Sequence, residues 1–210
     1  DDITGVNASI HAETGIGSDG DAIDTAITNL AAQTESGDIH VTNTGALTIT
    51  TVAGVTGVQI EDVGANDSGD DDITLVASSP LTVNDAVVNN DGGDITLAAE
   101  GNAAADDLDI NANITASGGD GNIDLFAGDS IDLDAAAAIS AAGAGTIDLS
   151  AAIDFKGGTP QAGNGDGSII LQDGSTITSA TGAITLDAGD SVALSSVTST
   201  SGDISVDADN

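Results

Sequence analysis

The chain is poor in basic residues and contains no cysteine, and each absence excludes a class of protein. One lysine, Lys156, stands against 35 acidic residues, which gives a formal net charge of −34 over 210 residues. Affinity for nucleic acids and for anionic membrane surfaces comes mainly from Lys and Arg, so we expect neither as a partner. Without cysteine there is no disulfide framework and no thiolate site. Zero cysteines fit an exported bacterial fibre.

Aromatic residues and histidines are scarce as well, and this argues against an enzyme. Trp and Tyr are absent, and the chain has two Phe residues. The two histidines are His11 and His40. His40 lies between the apolar residues Ile39 and Val41, so we expect it to point outward as a solvated surface histidine. We therefore predict that the chain is not an enzyme. A polysaccharide-binding or polysaccharide-cleaving β-helix remains the alternative, because two carboxylates suffice for glycoside hydrolysis.

A short phrase of alternating apolar and polar residues repeats along the chain, and alternation is the period of a half-buried strand. The isoleucines that open successive copies are separated by about 24 residues on average. The copies are Ile39–Val41, Ile73–Leu75, Ile95–Leu97, Ile123–Leu125, Ile147–Leu149, Ile169–Leu171, Ile184–Leu186 and Ile204–Val206.

A second apolar phrase follows six of the eight copies, in four of them eight residues after the isoleucine, and a third apolar point comes after it. The second phrase is found at Leu47–Ile49, Leu81–Val83, Leu108–Ile110, Ile131–Leu133, Ile153–Phe155 and Val192–Leu194. Three short strands per repeat, separated by Gly, Asn, Asp and Ser, predict an all-β fold. That fold is a three-sided parallel β-solenoid with about 22–24 residues per coil, in which stacked coils bury a continuous apolar column.

The repeat divides the chain into an irregular part, residues 1–36, and a regular solenoid, residues 37–210. In the first part, Ile23, Ile27 and Leu30 recur at helical spacing, which leaves open a short helix over 21–33 or an irregular coil. No run of 18 apolar residues is present, and the chain opens without a basic signal segment. Because it stops inside a repeat, we interpret it as an excerpt of a longer repeat protein.

Several segments resemble large bacterial exoproteins of the filamentous-haemagglutinin type. They are Ala22–Ala32, continuing into Gly37–Val41 and Thr44–Ile49, together with Gly128–Leu133 and Gly189–Leu194. The resemblance implies a right-handed parallel β-helix, export to the cell surface, and a role as an adhesin shaft or surface filament. The expected function is thus a non-catalytic structural rod of an extracellular adhesin, filament or sheath. The expected partners are neighbouring solenoid coils or further copies joined end to end.

Acidic corners between the strands are candidates for calcium binding, although no cofactor is expected to be required. Hard cations prefer carboxylate and carbonyl oxygens, and two corners concentrate them. The candidate ligands are Asp67, Asp70, Asp71, Asp72, Asp91 and Asp94. The alternative is a set of solvated acidic turns with diffuse counterions.

Overall fold

The computed structural model describes residues 1–62, 70–101, 103–156, 159–162 and 166–209, and within these residues the secondary structure consists of β-strands alone. The strands, in chain order, are β1 (Ile3–Thr4), β2 (Asn7–Ala12), β3 (Ile23–Ala26), β4 (Asn29–Thr34), β5 (Ile39–Asn43), β6 (Leu47–Ile49), β7 (Val58–Ile60), β8 (Ile73–Ala77), β9 (Leu81–Val83), β10 (Val87–Asn89), β11 (Ile95–Ala99), β12 (Leu108–Ile110), β13 (Ile114–Ala116), β14 (Ile123–Ala127), β15 (Ile131–Leu133), β16 (Ala138–Ala141), β17 (Ile147–Ala151), β18 (Ile153–Lys156), β19 (Thr159–Ala162), β20 (Ile169–Leu171), β21 (Thr176–Ser179), β22 (Ile184–Ala188), β23 (Val192–Ala193), β24 (Ser196–Ser199) and β25 (Ile204–Ala208).

The strands stack into the faces of a parallel β-solenoid, which confirms the predicted fold class. Face 1 is a nine-stranded sheet in the order β1-β3-β5-β8-β11-β14-β17-β22-β25. Face 2 contains β6, β9, β12, β15, β20 and β23, and face 3 contains β7, β10, β13, β16, β21 and β24. In the first coils β4 is long enough to pair with β6 through Asn29–Leu30 and with β7 through 32–34, so faces 2 and 3 join there into one sheet.

The predicted isoleucine column on face 1 is confirmed. Ile73, Ile95, Ile123, Ile147 and Ile184 are consecutive register partners, and each is fully buried. Strand alternation turns every second side chain inward, so the Ile, Leu, Val and Ala residues of all three faces meet in one core. Complete burial of an aliphatic side chain contributes about 1.5–3 kcal/mol, which makes this column a principal source of stability.

Two strands were assigned to the wrong place by the sequence pattern. Ile169–Leu171 was predicted on the first side, but it belongs to face 2 and pairs with Ile131–Leu133. Ile153–Phe155 was predicted on the second side, but Ile153–Lys156 pairs antiparallel with Thr159–Ala162 as a hairpin inserted between β17 and β20. The first and second phrases and the hairpin strand β18 show the same alternation of apolar and polar residues. Only the strand pairing in the structure distinguishes them.

The helix considered for 21–33 is wrong, because β3 and β4 occupy this segment. The corner between them is organised by the buried Asn43 of the next coil. Its Oδ1 accepts hydrogen bonds from Thr25 Oγ1 at 2.8 Å and from the backbone N–H of Ile27 at 3.0 Å. This tertiary interaction satisfies backbone groups that a helix would otherwise satisfy locally, and helical spacing in the sequence cannot reveal it.

A column of glycines lies at the corner before face 1, two residues ahead of the inward isoleucine. A Cβ built on each of them would come within 2.1 Å of a backbone carbonyl oxygen of the coil before it. The members are Gly93, Gly121, Gly145, Gly182 and Gly202. Coils can therefore stack at this corner only where no side chain is present.

We predict that Gly145→Ala destabilises the solenoid strongly. The added Cβ would lie 2.1 Å from the carbonyl oxygen of Gly121, a backbone atom that cannot rotate away as a flexible side chain could. We expect a loss of about 3 kcal/mol, at the upper end of the cost of overpacking, in the free energy of unfolding measured by chemical denaturation. Gly20→Ala is the control, since a Cβ there meets no atom within 4 Å. Equal effects of the two substitutions would contradict the steric explanation.

Candidate functional site

A groove with a volume of about 470 Å³ lies on the outer surface of face 1. Its strand residues alternate with the buried ones, so they point away from the core. They are His40, Thr42, Thr74, Val76 and Thr96, from β5, β8 and β11. The other lining residues come from the connections, namely Asp19, Ala22, Asp72, Asp94 and Glu100. The groove thus combines several carboxylates with threonine hydroxyls and a few apolar groups.

His40 is buried in this groove, and the prediction of a solvated surface histidine is wrong. Its side chain points outward from β5 as expected, but only 5% of it is exposed. The segment before β3 covers it, and the backbone N–H of His40 donates to the carbonyl of Ile16 at 2.7 Å. Because this segment does not follow the repeat, the alternation around His40 gave no indication of it.

The contacts of the His40 ring are with carboxylates. Nδ1 lies 3.7 Å from Oδ1 of Asp19, and Nε2 lies 3.8 Å from Oδ2 of Asp38. Both distances exceed those of a hydrogen bond. Among the described residues no hydrogen-bond partner is present for Nε2, although the atom is buried. A buried polar atom without a hydrogen-bond partner is unusual in a folded protein.

The Asp residues just before the face 1 strands form a ladder between coils. Oδ1 of Asp38 accepts a hydrogen bond from the backbone N–H of Asp72 at 2.9 Å. Oδ1 of Asp72 accepts a hydrogen bond from the backbone N–H of Asp94 at 2.7 Å. Oδ1 of Asp94 in turn accepts one from the backbone N–H of Asn122, also at 2.7 Å. Asn122 continues the ladder to the N–H of Thr146 at 2.9 Å. The position requires an acceptor oxygen and not a charge, because the asparagine amide makes the same bond.

Four of the calcium candidates belong to such corner contacts. Asp72 and Asp94 are adjacent members of the ladder, and Oδ2 of Asp91 accepts from the N–H of Asp71 at 2.7 Å. Asp70 is exposed, and Asp67 lies outside the described residues. Over the described part of the chain no three acidic or histidine residues are grouped closely enough to hold a metal ion. A calcium site that uses these candidates therefore remains a prediction.

Burial raises the pKa of Asp72 above its ordinary value, and the nearby carboxylates of Asp94 and Asp38 raise it further. The hydrogen bond from the backbone N–H of Asp94 and the proximity of His40 oppose this increase in the pKa. The groove end at Asp72 is therefore a place where negative charge is concentrated in partly desolvated surroundings. A cation bound there would relieve that repulsion.

Outward aspartates are stacked on face 1. Asp124 and Asp148 are direct register partners in adjacent coils. Burial, followed by the charges of Asp148 and Asp94, raises the pKa of Asp124 to about 6. Burial likewise raises the pKa of Asp148, with a contribution from Asp187, while a hydrogen bond from Ser150 opposes the shift. The stack is thus an unfavourable arrangement of like charges at neutral pH.

A second stack of aspartates lies on face 2. Asp109 and Asp132 are register partners, and burial and the charges of Asp107 and Asp132 raise the pKa of Asp109. The stack ends at Asp132, whose partner on β20 is Ile170. Asp154 does not extend it, because β18 belongs to the inserted hairpin.

No family model, curated protein or solved structure matches this chain. The resemblance to exoproteins of the filamentous-haemagglutinin type consequently remains a prediction that rests on the repeat phrases. In the described residues no helix is long and apolar enough to span a bilayer. The fold identifies a repeat protein of the parallel β-solenoid class, and its function must be argued from the geometry.

We predict that stability falls as the pH rises from about 4 to 6. Asp124 binds its proton more tightly in the folded state, so the folded protein carries more protons than the unfolded chain across this window. At pH 7 Asp124→Asn should therefore stabilise the protein by about 1–2 kcal/mol, after allowance for solvent screening of a half-buried side chain. At pH 4 this stabilisation should vanish, because Asp124 is then protonated in the folded protein. Thermal melts of wild type and variant at the two pH values measure the difference. Asp173→Asn, in an exposed turn, is the control and should have little effect at either pH.

We also predict that added salt raises the melting temperature. Sodium chloride screens the repulsion between stacked carboxylates, and calcium bridging two of them would stabilise further by binding only the folded state. Millimolar calcium should therefore raise the melting temperature more than sodium chloride at matched ionic strength. The double change Asp124→Asn and Asp148→Asn should reduce this difference. Identical curves for the two salts would show that screening alone operates.

Proposed function

We propose that this chain is part of a structural rod in an extracellular adhesin, a surface filament or a sheath, and that it is not a catalyst. The observation that supports this is the unbroken stacking of face 1. Its nine strands, spaced by about 4.8 Å, extend over roughly 40 Å. In such a solenoid each coil contacts only its neighbours, so length is gained simply by adding coils.

The composition supports an exposed location for such a rod. A net charge of −34 keeps separate rods apart in solution, and the core consists of small and medium aliphatic side chains that stack on copies of themselves. The absence of cysteine and the resemblance to surface exoproteins agree with export to the cell surface. These points favour an extracellular or cell-surface protein.

The last coil supplies a surface for continuing the rod. Ile204 and Val206 pair with Ile184 and Leu186 in the inward columns of face 1, yet they are 46% and 44% exposed. A parallel strand stacked on β25 would bury both side chains and pair its open backbone groups. That strand can belong to further sequence of the same chain or to another copy joined end to end.

Polysaccharide binding is the second candidate, and the face 1 groove is the observation that favours it. Carboxylates and threonine hydroxyls line this groove, and a concave site with a few polar groups is the usual form of a small-molecule site. Against it, the described lining residues include no Trp, Tyr or Phe on which a sugar ring could stack. Release of reducing sugar from acidic and neutral polysaccharides tests the cleaving form of this candidate directly.

We predict that the chain associates end to end as its concentration rises. Small-angle X-ray scattering should give rods whose length increases in steps of roughly 40 Å while the cross-section stays constant. The double change Ile204→Asp and Val206→Asp should suppress the lengthening, because two charges would have to be buried. Ser205→Asp is the control, since Ser205 lies between these two residues on the same strand, pairs with the outward Thr185 and does not belong to the column. A protein that stays monomeric at every concentration would contradict end-to-end association.

A further inference from the structure

We propose that the hairpin of β18 and β19 is a strap, which folds back over the outer surface of face 1 and ties three successive coils together. The three coils are those that contain β11, β14 and β17. This inference does not depend on the rod proposal, because it concerns a contact within one chain. It rests on the strands that β18 touches, on an apolar patch buried outside the core, and on the closed neck from which the hairpin leaves.

The hairpin reaches coils that precede it in the stack. β18 follows β17 in the chain, yet it lies against β14, one coil earlier, and against β11, two coils earlier. In a regular solenoid each coil contacts only its immediate neighbours. The hairpin therefore connects coils that the strand ladders alone would leave without direct contact.

An apolar patch outside the core marks the place where the strap lies. Val76, Ala98 and Phe126 are register partners on β8, β11 and β14, and they point away from the core. Even so, Val76 is buried and Ala98 is 0% exposed, and Phe126 packs against them in a cluster separate from the core. On β22 and β25 the same outward position is occupied by Asp187 and Asp207, which are exposed. Burial along this row thus follows the position of β18.

The hairpin leaves the solenoid through a closed neck. Ala152 has a φ of 64°, in the left-handed region that residues with a Cβ rarely adopt, and its N–H donates to the carbonyl of Asp129 at 2.9 Å. A Cβ built on Gly167 would lie 2.6 Å from the nitrogen of Ala152, so the two ends of the insertion are adjacent. The carbonyl of Gly167 accepts the N–H of Asp190 at 2.9 Å. Both ends are held by the neighbouring coils, so the hairpin can lift without breaking a coil.

Trypsin is a specific probe of the strap, because this protease cleaves after Lys and Arg. Lys156, in β18, is the one such residue in the chain. A protease needs an unpaired segment, so the cleavage rate under native conditions reports how often the hairpin opens. We expect slow cleavage of the folded protein into the fragments 1–156 and 157–210.

Substitutions in the patch should release the strap. Ala98→Asp would place an unpaired charge beneath β18 and should accelerate cleavage by about tenfold or more. The fold should tolerate this change, because the native chain carries Asp187 at the same outward position of β22. Phe126→Ser should also accelerate cleavage, since it removes apolar contact without adding charge. Serine is compatible with this row, because Ser150 is the register partner of Phe126.

Val88→Asp is the matched control. Val88 points outward from β10 on face 3, is half-buried, and has the uncharged register partners Gln59 and Thr115. The variant adds the same charge on another face, so cleavage at Lys156 should keep the wild-type rate. The free energy of unfolding in urea, measured for each variant, separates opening of the hairpin from cleavage of globally unfolded chains.

A strapless variant tests whether the hairpin ties the coils together. In this variant a short Gly-Ser linker joins Ala152 to Gly167, which are already adjacent. Native-state hydrogen exchange of the backbone amides in β11 and β14 should become about tenfold faster, because the contacts that cover these strands are lost. The amides of β6, in an earlier coil, should exchange at the same rate as in the wild type.

Two results would overturn the proposal. Equal cleavage rates of Ala98→Asp and Val88→Asp, after correction for global unfolding, would mean that the hairpin does not rest on the patch. Unchanged exchange of β11 and β14 in the strapless variant would mean that the hairpin does not tie these coils together.

Discussion

The backbone hydrogen bonds that join one coil to the next impose the constraint on which the rest of this structure depends. Parallel pairing in register places equivalent residues of successive coils about 4.8 Å apart, so each residue type must tolerate its own kind as a neighbour. Isoleucine tolerates this well, since Ile95, Ile123 and Ile147 bury one another completely. Glycine is required where even a Cβ would collide with the coil before it, as at Gly121 and Gly145.

Aspartate meets the same constraint in two different ways. At the corner before face 1 its carboxylate accepts the backbone N–H of the next coil, as in Asp72 and Asp94, so stacking places an acceptor against a donor. On the outer surface of the strands, Asp124 and Asp148 face each other without such a donor between them, and the pKa of each is raised. The acidic composition is therefore partly structural and partly a source of repulsion that ions can relieve.

The repeat phrases were sufficient to predict the solenoid and its isoleucine column, because both follow from a short period that is visible in the sequence. The same phrases misplaced Ile153 and Ile169, since an inserted hairpin has the same alternation as a coil strand. The groove around His40 was missed for a related reason: the segment that buries this residue departs from the repeat. The glycines two residues before the isoleucines were a visible signal, and their role becomes clear only from the distances between coils.

The hairpin of β18 and β19 leaves the solenoid after β17, and the coil resumes at β20 with Ile169 in register with Ile131. An insertion at this corner thus leaves the strand pairing of the coils on either side unchanged. The faces must keep their stacking, whereas a corner of this kind can change in length and sequence. For protein engineering, the corner between β17 and β20 is a natural position at which to graft a foreign peptide onto a stiff support.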